Sequence, residues 1–203
     1  MGVIPGQRRK GIGRRMMQYL IDQARTRGLE TIDLEVIEAN RGAWQLYRSL
    51  GFTDRRFLLV LERMADSVPE ILPEYPLSEQ EVFEILADYE AYHPVPNCWQ
   101  RAKPSLEGMA STLQGWTLGG DNCAQSHALG YADTFTLRLI DLAATPESDA
   151  PRAAACLLAA LHRAFPEAHA SSYNVADNDP VLPAFEALGY TVSFRQIEMR
   201  LTL

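Results

Sequence analysis

The sequence is short of the features that mark secreted, membrane-bound and metal-stapled proteins. Its three cysteines, Cys98, Cys123 and Cys156, are odd in number and share no close spacing, which argues against a disulfide framework. They read as reduced thiols, and Cys156, set between Ala153-Ala154-Ala155 and Leu157-Leu158, reads as a small core residue rather than a nucleophile. No signal-peptide pattern opens the chain and no apolar run approaches the length of a membrane span, so the expected location is cytoplasmic. The four histidines, His93, His127, His162 and His169, show no metal-ligand spacing. No metal is expected, and His162, in an Ala/Leu-rich stretch, reads as a helix-surface residue. Basic residues are scarce after residue 63: residues 64–203 carry seven Arg and Lys against nineteen Asp and Glu, where residues 1–63 carry twelve against seven. Such asymmetry points to two units with different partners. The basic unit gathers its charge around one turn, which suits a polyanionic cofactor better than a nucleic-acid stripe.

That turn, Gly6-Gln7-Arg8-Arg9-Lys10-Gly11-Ile12-Gly13-Arg14-Arg15, is the richest stretch of the chain. Its glycines allow a tight turn and close backbone approach to a ligand. The helix they open aims unpaired N–H groups and a positive dipole end at an anion. A Walker phosphate loop needs Lys-Ser or Lys-Thr after its last glycine, and Arg14-Arg15 stands there instead. A dinucleotide fingerprint needs a third small residue, and the position holds Met16, although Asp33 lies downstream of Gly13 where that fingerprint places its acid.

Arg8-Arg9-Lys10-Gly11-Ile12-Gly13 resembles the pyrophosphate loop of the GNAT superfamily of N-acetyltransferases. The likeness continues on both sides of the loop. Val3-Ile4-Pro5 is similar to the strand ending that precedes the loop in that family, and Thr31–Ile37, Asn40, Ala43, Leu46-Tyr47 and Leu50-Gly51-Phe52 follow in the family's order. The resemblance covers residues 3 to 61.

Taken in order, Ile12, Met16, Tyr19, Leu20 and Ala24 recur at helical spacing, and Gly28 caps the helix. Thr31–Ile37 reads as a strand with Ile32, Leu34 and Val36 on one face and Asp33, Glu35 and Ile37 on the other. A short helix over 41–50 and a strand over 57–61 complete a β-α-β-α-β series, which favours an α/β sheet. Prolines at 69, 73 and 76 mark 64–76 as a linker. Ser78 with Glu81 looks like a capping box for a helix reaching Tyr92; a helix over 104–114 and a strand over 134–142 follow.

The second half repeats the first at one constant offset, without a gap. Leu50-Gly51-Phe52 falls on Leu188-Gly189-Tyr190, Asn40 on Asn178, and Thr31–Ile37 on 169–175. Gly11 and Gly13 fall on Asp149 and Pro151, and Tyr47 on Phe185, so the second copy lacks the anion loop and the phenol. The expected fold is therefore α/β: two GNAT-like units (1–63 and 77–203, linker 64–76) with mixed central sheets flanked by helices, the first lacking its early strands and the second a degenerate copy.

The resemblance implies acetyl transfer from acetyl-coenzyme A, as co-substrate, to a small-molecule or peptide amine by direct attack. Backbone groups of Val3 and Ile4 would pair with the pantetheine arm. Arg8, Arg9, Lys10, Gly11, Ile12 and Gly13, followed by Arg14, would hold the pyrophosphate, and Asn40 would contact the cofactor. Tyr47 matches the family's proton donor to the departing thiolate, with a packing aromatic as the plainer reading. Glu35 is the best candidate for the base, although a solvated strand face explains it as well. A non-catalytic acyl-coenzyme A scaffold is the rival function. Placing the second unit's start near Ile71 puts the first unit's start roughly 70 residues before Met1. A truncated reading is expected on that ground; the alternative is self-association, as a homodimer, that covers an open sheet edge.

Overall fold

The structure, a computed structural model, describes residues 2–65, 71, 75–118, 125–146 and 149–203. Most of the expected linker 64–76, and Cys123, lie outside the described residues. The chain divides into two compact units, the first formed by Met1–Phe57 with Arg195–Leu203 and the second by Leu58–Phe194.

The first unit begins with a 3-10 turn at Pro5–Gln7, followed by α1 (Ile12–Thr26), β1 (Thr31–Ile37), α2 (Arg41–Arg48) and the start of β2 (Thr53–Arg63). Its last piece is the end of β8 (Thr191–Thr202), which pairs antiparallel with β1 from Thr31↔Thr202 to Ile37↔Gln196. No strand forms at Val3–Pro5, where a strand ending was expected. The alternation of β1 holds: Ile32, Leu34 and Val36 join Ile197, Met199 and Leu201 of β8 in one apolar cluster under Met17, Ile21 and Phe52. Burying Phe52, only 2% exposed, contributes on the order of 2 kcal/mol.

The face of α1 differs from the expected one. Met16, Tyr19 and Leu20 are exposed, while Met17, Ile21 and Ala24 are buried. Gly13 sets this rotation, because a β-carbon there would lie 3.3 Å from Leu46 Cδ2 of α2. Helical spacing then carries the contact stripe from Gly13 to Met17, Ile21 and Ala24.

The second unit runs from the end of β2 through β3 (Leu77–Glu79), α3 (Val82–Ala87), α4 (Tyr89–Tyr92), α5 (Lys103–Met109), β4 (Gln114–Leu118), β5 (Ser126–Ala132), β6 (Thr136–Ala144), α6 (Ala150–Ala164), β7 (His169–Ala176) and α7 (Leu182–Ala187) into β8. The helix expected from Ser78 is replaced: Leu77, Ser78 and Glu79 pair with Leu118, Thr117 and Trp116, and the helix starts only at Val82. Pairing with β4 wins over the local capping pattern. The helix expected over 104–114 ends at Met109, followed by a 3-10 turn, because Gln114 already belongs to β4. The strand expected over 134–142 is β6, at Thr136–Ala144.

At the centre of this unit lies α6, with every residue from Ala153 to His162 buried. His162 is thus a core residue, not the surface one expected. Small alanines let the helix be enclosed all round. Alongside, β6 runs parallel to β7 only over Thr136–Leu139, against His169–Ser172. Where two central sheets were expected, the described strands form a single mixed sheet of eight, in the order β1-β8-β2-β7-β6-β5-β4-β3. Among the described residues, no helix is long and apolar enough to cross a membrane.

Candidate functional site

The basic turn keeps the features of an anion cradle. Arg9 and Gly11 both adopt left-handed backbone, with φ of 62° and 73°, which bends the chain back before α1. Gly11 is the N-cap of α1; no side chain caps that end, and no acidic residue lies in its first turn. The N–H groups of Ile12, Gly13 and Arg14 therefore open a helix start with positive polarity. Residues 5–11 are exposed, so the basic side chains surround an accessible turn. Three of these basic side chains are engaged nearby: Arg14 Nη2 donates to Ser49 Oγ at 2.5 Å, Lys10 Nζ to Gln7 Oε1 at 3.0 Å, and Arg8 Nε to a backbone carbonyl at 3.0 Å.

The matching helix start of the second unit is closed. Asp149 is the N-cap of α6, and its carboxylate accepts from Arg152 N at 3.4 Å. A built-in anion stands where the first unit leaves its helix start bare.

The other expected contacts are mixed. The Val3 carbonyl, expected to pair with a pantetheine arm, accepts from Arg8 Nε at 3.0 Å, so a ligand would compete with that side chain. Asn40 caps α2, its Oδ1 accepting from Ala43 N at 3.2 Å. Ile4 is exposed and free of secondary structure. Tyr47 is half-buried, 6.0 Å from Phe52 between ring centres, and burial raises its pKa. Among the described residues its hydroxyl has no hydrogen-bond partner.

Glu35 is not brought to the same place. Tyr47 packs with the apolar cluster that holds Ile32, Leu34 and Val36, and strand alternation sends Glu35 to the opposite face. There it sits directly across from buried Glu198, which accepts from Arg56 Nε at 2.8 Å. Asp33, its neighbour on that face, is held by Arg200 at 2.6 and 2.7 Å, a pairing that lowers the Asp33 pKa chiefly through its hydrogen bonds.

Sequence reasoning missed a second cluster, in the second unit. His93 Nε2 and His127 Nε2 each lie 3.1 Å from Asp141 Oδ2. Arg101, almost fully buried, donates to Asp141 Oδ1 at 3.0 Å. Burial opposes the charge on Asp141, but His93, His127 and Arg101 outweigh it and hold the carboxyl well below the usual range. Burial likewise opposes the charge on His93, and Asp141 outweighs it, so the His93 pKa is raised. Tyr89, which donates to the Arg101 carbonyl at 2.7 Å, is pushed up to about 12 by burial first and by Asp141 second. The available signal was a polar residue inside each of two apolar strands, His127 before Ala128-Leu129 and Asp141 between Ile140 and Leu142.

Residues 1–52 match the model of the acetyltransferase (GNAT) family. A ribosomal protein bS18-alanine N-acetyltransferase from Salmonella typhimurium is 44% identical over 54 residues, 27% of this chain and 36% of that protein. The chain thus spans about a third of that relative's length. Across the whole chain the fold is similar to solved acetyltransferases. A GCN5-related N-acetyltransferase from Sphaerobacter thermophilus superposes with a TM-score of 0.65 at 16% identity, covering 98% of this chain and 70% of that one. A tandem GNAT protein from the clavulanic acid biosynthesis pathway gives 0.66 at 16% identity, covering 99% and 73%. At these identities the structures establish likeness of fold.

Proposed function

We propose that the protein is an N-acyltransferase that carries acetyl from acetyl-coenzyme A to an amine, with the first unit holding the co-substrate. The observation that carries this reading is the helix start at Gly11: basic, exposed and uncapped, within the residues that match the family model. Acetyl-coenzyme A brings an acyl group already activated as a thioester. The chain's own part is positioning. The amides and basic side chains from Arg8 to Arg14 bind the pyrophosphate, Asn40, at the start of α2, contacts the co-substrate, and Tyr47 holds a proton for the departing sulfur. The acceptor is a small molecule or a peptide amine, and a peptide with N-terminal alanine is one to try, given what the Salmonella relative acetylates.

The same proposal makes the chain a tandem of GNAT-like copies, residues 1–63 and 77–203, joined by 64–76. Three pairs of element bounds support it: α1 at Ile12–Thr26 and α6 at Ala150–Ala164, β1 at Thr31–Ile37 and β7 at His169–Ala176, and β2 and β8 starting at Thr53 and Thr191. The first residues of each pair are separated by the same offset that carries Asn40 to Asn178. In this reading the second copy is structural toward coenzyme A. A cytoplasmic location belongs to the proposal too, as does a homodimer, because β1 ends the strand order and leaves an edge for pairing.

One observation favours a non-catalytic acyl-coenzyme A-binding protein instead: Glu35 and Tyr47 lie on opposite sheet faces, so the first unit does not bring its expected base to its expected acid. Release of free thiol from acetyl-coenzyme A, over a panel of amines and alanine-started peptides, decides between the two. The enzyme reading expects turnover with at least one acceptor. Background rates across the panel, with co-substrate binding confirmed by calorimetry, would leave the binding protein.

A further inference from the structure

We propose that His93, His127 and Asp141 form a binding site for a divalent transition metal of the zinc class. The proposal is independent of the acyl-transfer reading and rests on how these three side chains are aimed.

His127 on β5 and Asp141 on β6 share one sheet face as diagonal neighbours, since Leu129 pairs with Asp141 and His127 with Ala143. His93 follows α4 as its C-cap, and its ring stacks on Tyr89 with centres 4.0 Å apart. The ligand atoms offered by the three residues all lie within 4.8 Å of one another. A tetrahedral ion about 2.0–2.2 Å from each ligand atom would want them roughly 3.3 Å apart, close to the 3.1 Å separations from each imidazole Nε2 to Asp141 Oδ2.

The surrounding hydrogen bonds select the lone pairs that a metal needs. His93 Nδ1 lies 2.7 Å from the Tyr89 carbonyl oxygen. A carbonyl only accepts, so Nδ1 carries the hydrogen and Nε2 of the neutral ring turns its lone pair to the carboxylate. In that form two acceptors face each other, and either a second proton on the ring or a metal ion between them satisfies both. A proton on His93 serves that ring alone. A single metal ion serves His93, His127 and Asp141 together.

Asp141 is prepared in the same way. Arg101 Nη2 and Asn97 Nδ2 donate to Oδ1, at 3.0 and 3.4 Å, while His127 Nε2 faces Oδ2 at 3.1 Å and His93 Nε2 lies between the two oxygens, 3.2 Å from Oδ1 and 3.1 Å from Oδ2. A carbonyl behind a histidine and donors behind a carboxylate are the outer partners that orient metal ligands. Asp179, 3.7 Å from Arg101 Nη1, offsets the arginine charge. Two imidazoles with one carboxylate disfavour calcium and magnesium, which take oxygen ligands, and suit zinc. Three protein ligands leave a fourth position for water or a small ligand, and His93 lines a cavity of about 180 Å³ shared with Leu142, Ala143 and Val181.

The test uses the full chain, stripped with a chelator and titrated with Co2+ and then Zn2+. One equivalent of Co2+ per chain should give visible d–d bands of four-coordinate intensity, which Zn2+ should abolish while raising the thermal midpoint. His93→Gln and His127→Gln should each weaken binding by at least roughly 100-fold. Failure of the unmodified chain to bind Co2+ or Zn2+ stoichiometrically overturns the proposal and leaves a proton-held network. Binding that persists unchanged in both variants overturns it as well.

Discussion

Asp33 on β1 and Arg200 on β8 meet in a two-point pair, at 2.6 and 2.7 Å, from opposite ends of the chain. The pair ties the end of the chain to the first unit's strand. With both side chains partly exposed, at 25% and 37%, it is worth about 1 kcal/mol rather than a buried pair's several. Arg200→Met should lower stability by that order in urea denaturation at pH 7. Because Arg200 lowers the folded Asp33 pKa, this contribution is present above the unfolded value near 4 and fades as pH falls through the folded one. The variant and the parent should therefore converge in stability near pH 2. Equal stability at pH 7 would reduce the pair to a surface contact.

His162 gives a pH dependence of its own. Its Nδ1 accepts from Arg63 Nη1 at 3.4 Å, so its Nε2 carries the hydrogen toward Tyr190 Oη at 3.1 Å. Burial first, and Arg63 second, lower its pKa to about 4. A histidine depressed on folding favours the neutral form. Its contribution is full above the unfolded value of about 6.5 and is lost between there and 4, by at most roughly 1.4 kcal/mol per pH unit. His162→Gln, which keeps an acceptor and a donor, should flatten the stability profile between pH 6.5 and 4. An unchanged slope in urea midpoints would mean that His162 titrates normally.

Tyr47 separates chemistry from packing. Phe185 lies at the sequence offset from Tyr47 that carries Asn40 to Asn178 and is fully buried without a hydroxyl, so the proposed tandem arrangement expects a plain ring to be accepted there. Tyr47→Phe should keep the thermal midpoint and leave the acetyl-coenzyme A KM within about twofold, while kcat falls at least roughly tenfold. A kcat equal to the parent's would leave Tyr47 as a packing residue.

What could be read in the sequence followed from local rules. Thr31–Ile37 alternates strictly and is the strand expected, with the expected faces. Gly28, at φ 69°, stands just past α1 as its closing glycine. Long-range pairing was not legible. Leu77-Ser78-Glu79 looks like a helix start until Trp116, Thr117 and Leu118 are placed beside it. Nothing local says that Arg195–Leu203 joins the first unit or that Arg200 answers Asp33. The cluster of His93, His127 and Asp141 is assembled by a turn after α4 and by strand register, so its members are scattered along the chain with no motif to mark them. The buried stripe of α1 escaped because Gly13, taken only as a ligand-side residue, also sets the packing against Leu46.

Calorimetric titration of acetyl-coenzyme A tests the proposed role of the helix start at Gly11 most directly. Gly11→Asp places at α1 the residue that closes α6 at Asp149, adding a negative charge where the pyrophosphate would sit and straining a backbone position at φ 73°. The parent chain should bind one acetyl-coenzyme A, Asp149→Gly should bind it with unchanged affinity, and Gly11→Asp should show no measurable heat of binding. Equal affinity in the parent and Gly11→Asp, or a loss confined to Asp149→Gly, would contradict the assignment of the co-substrate to the first unit.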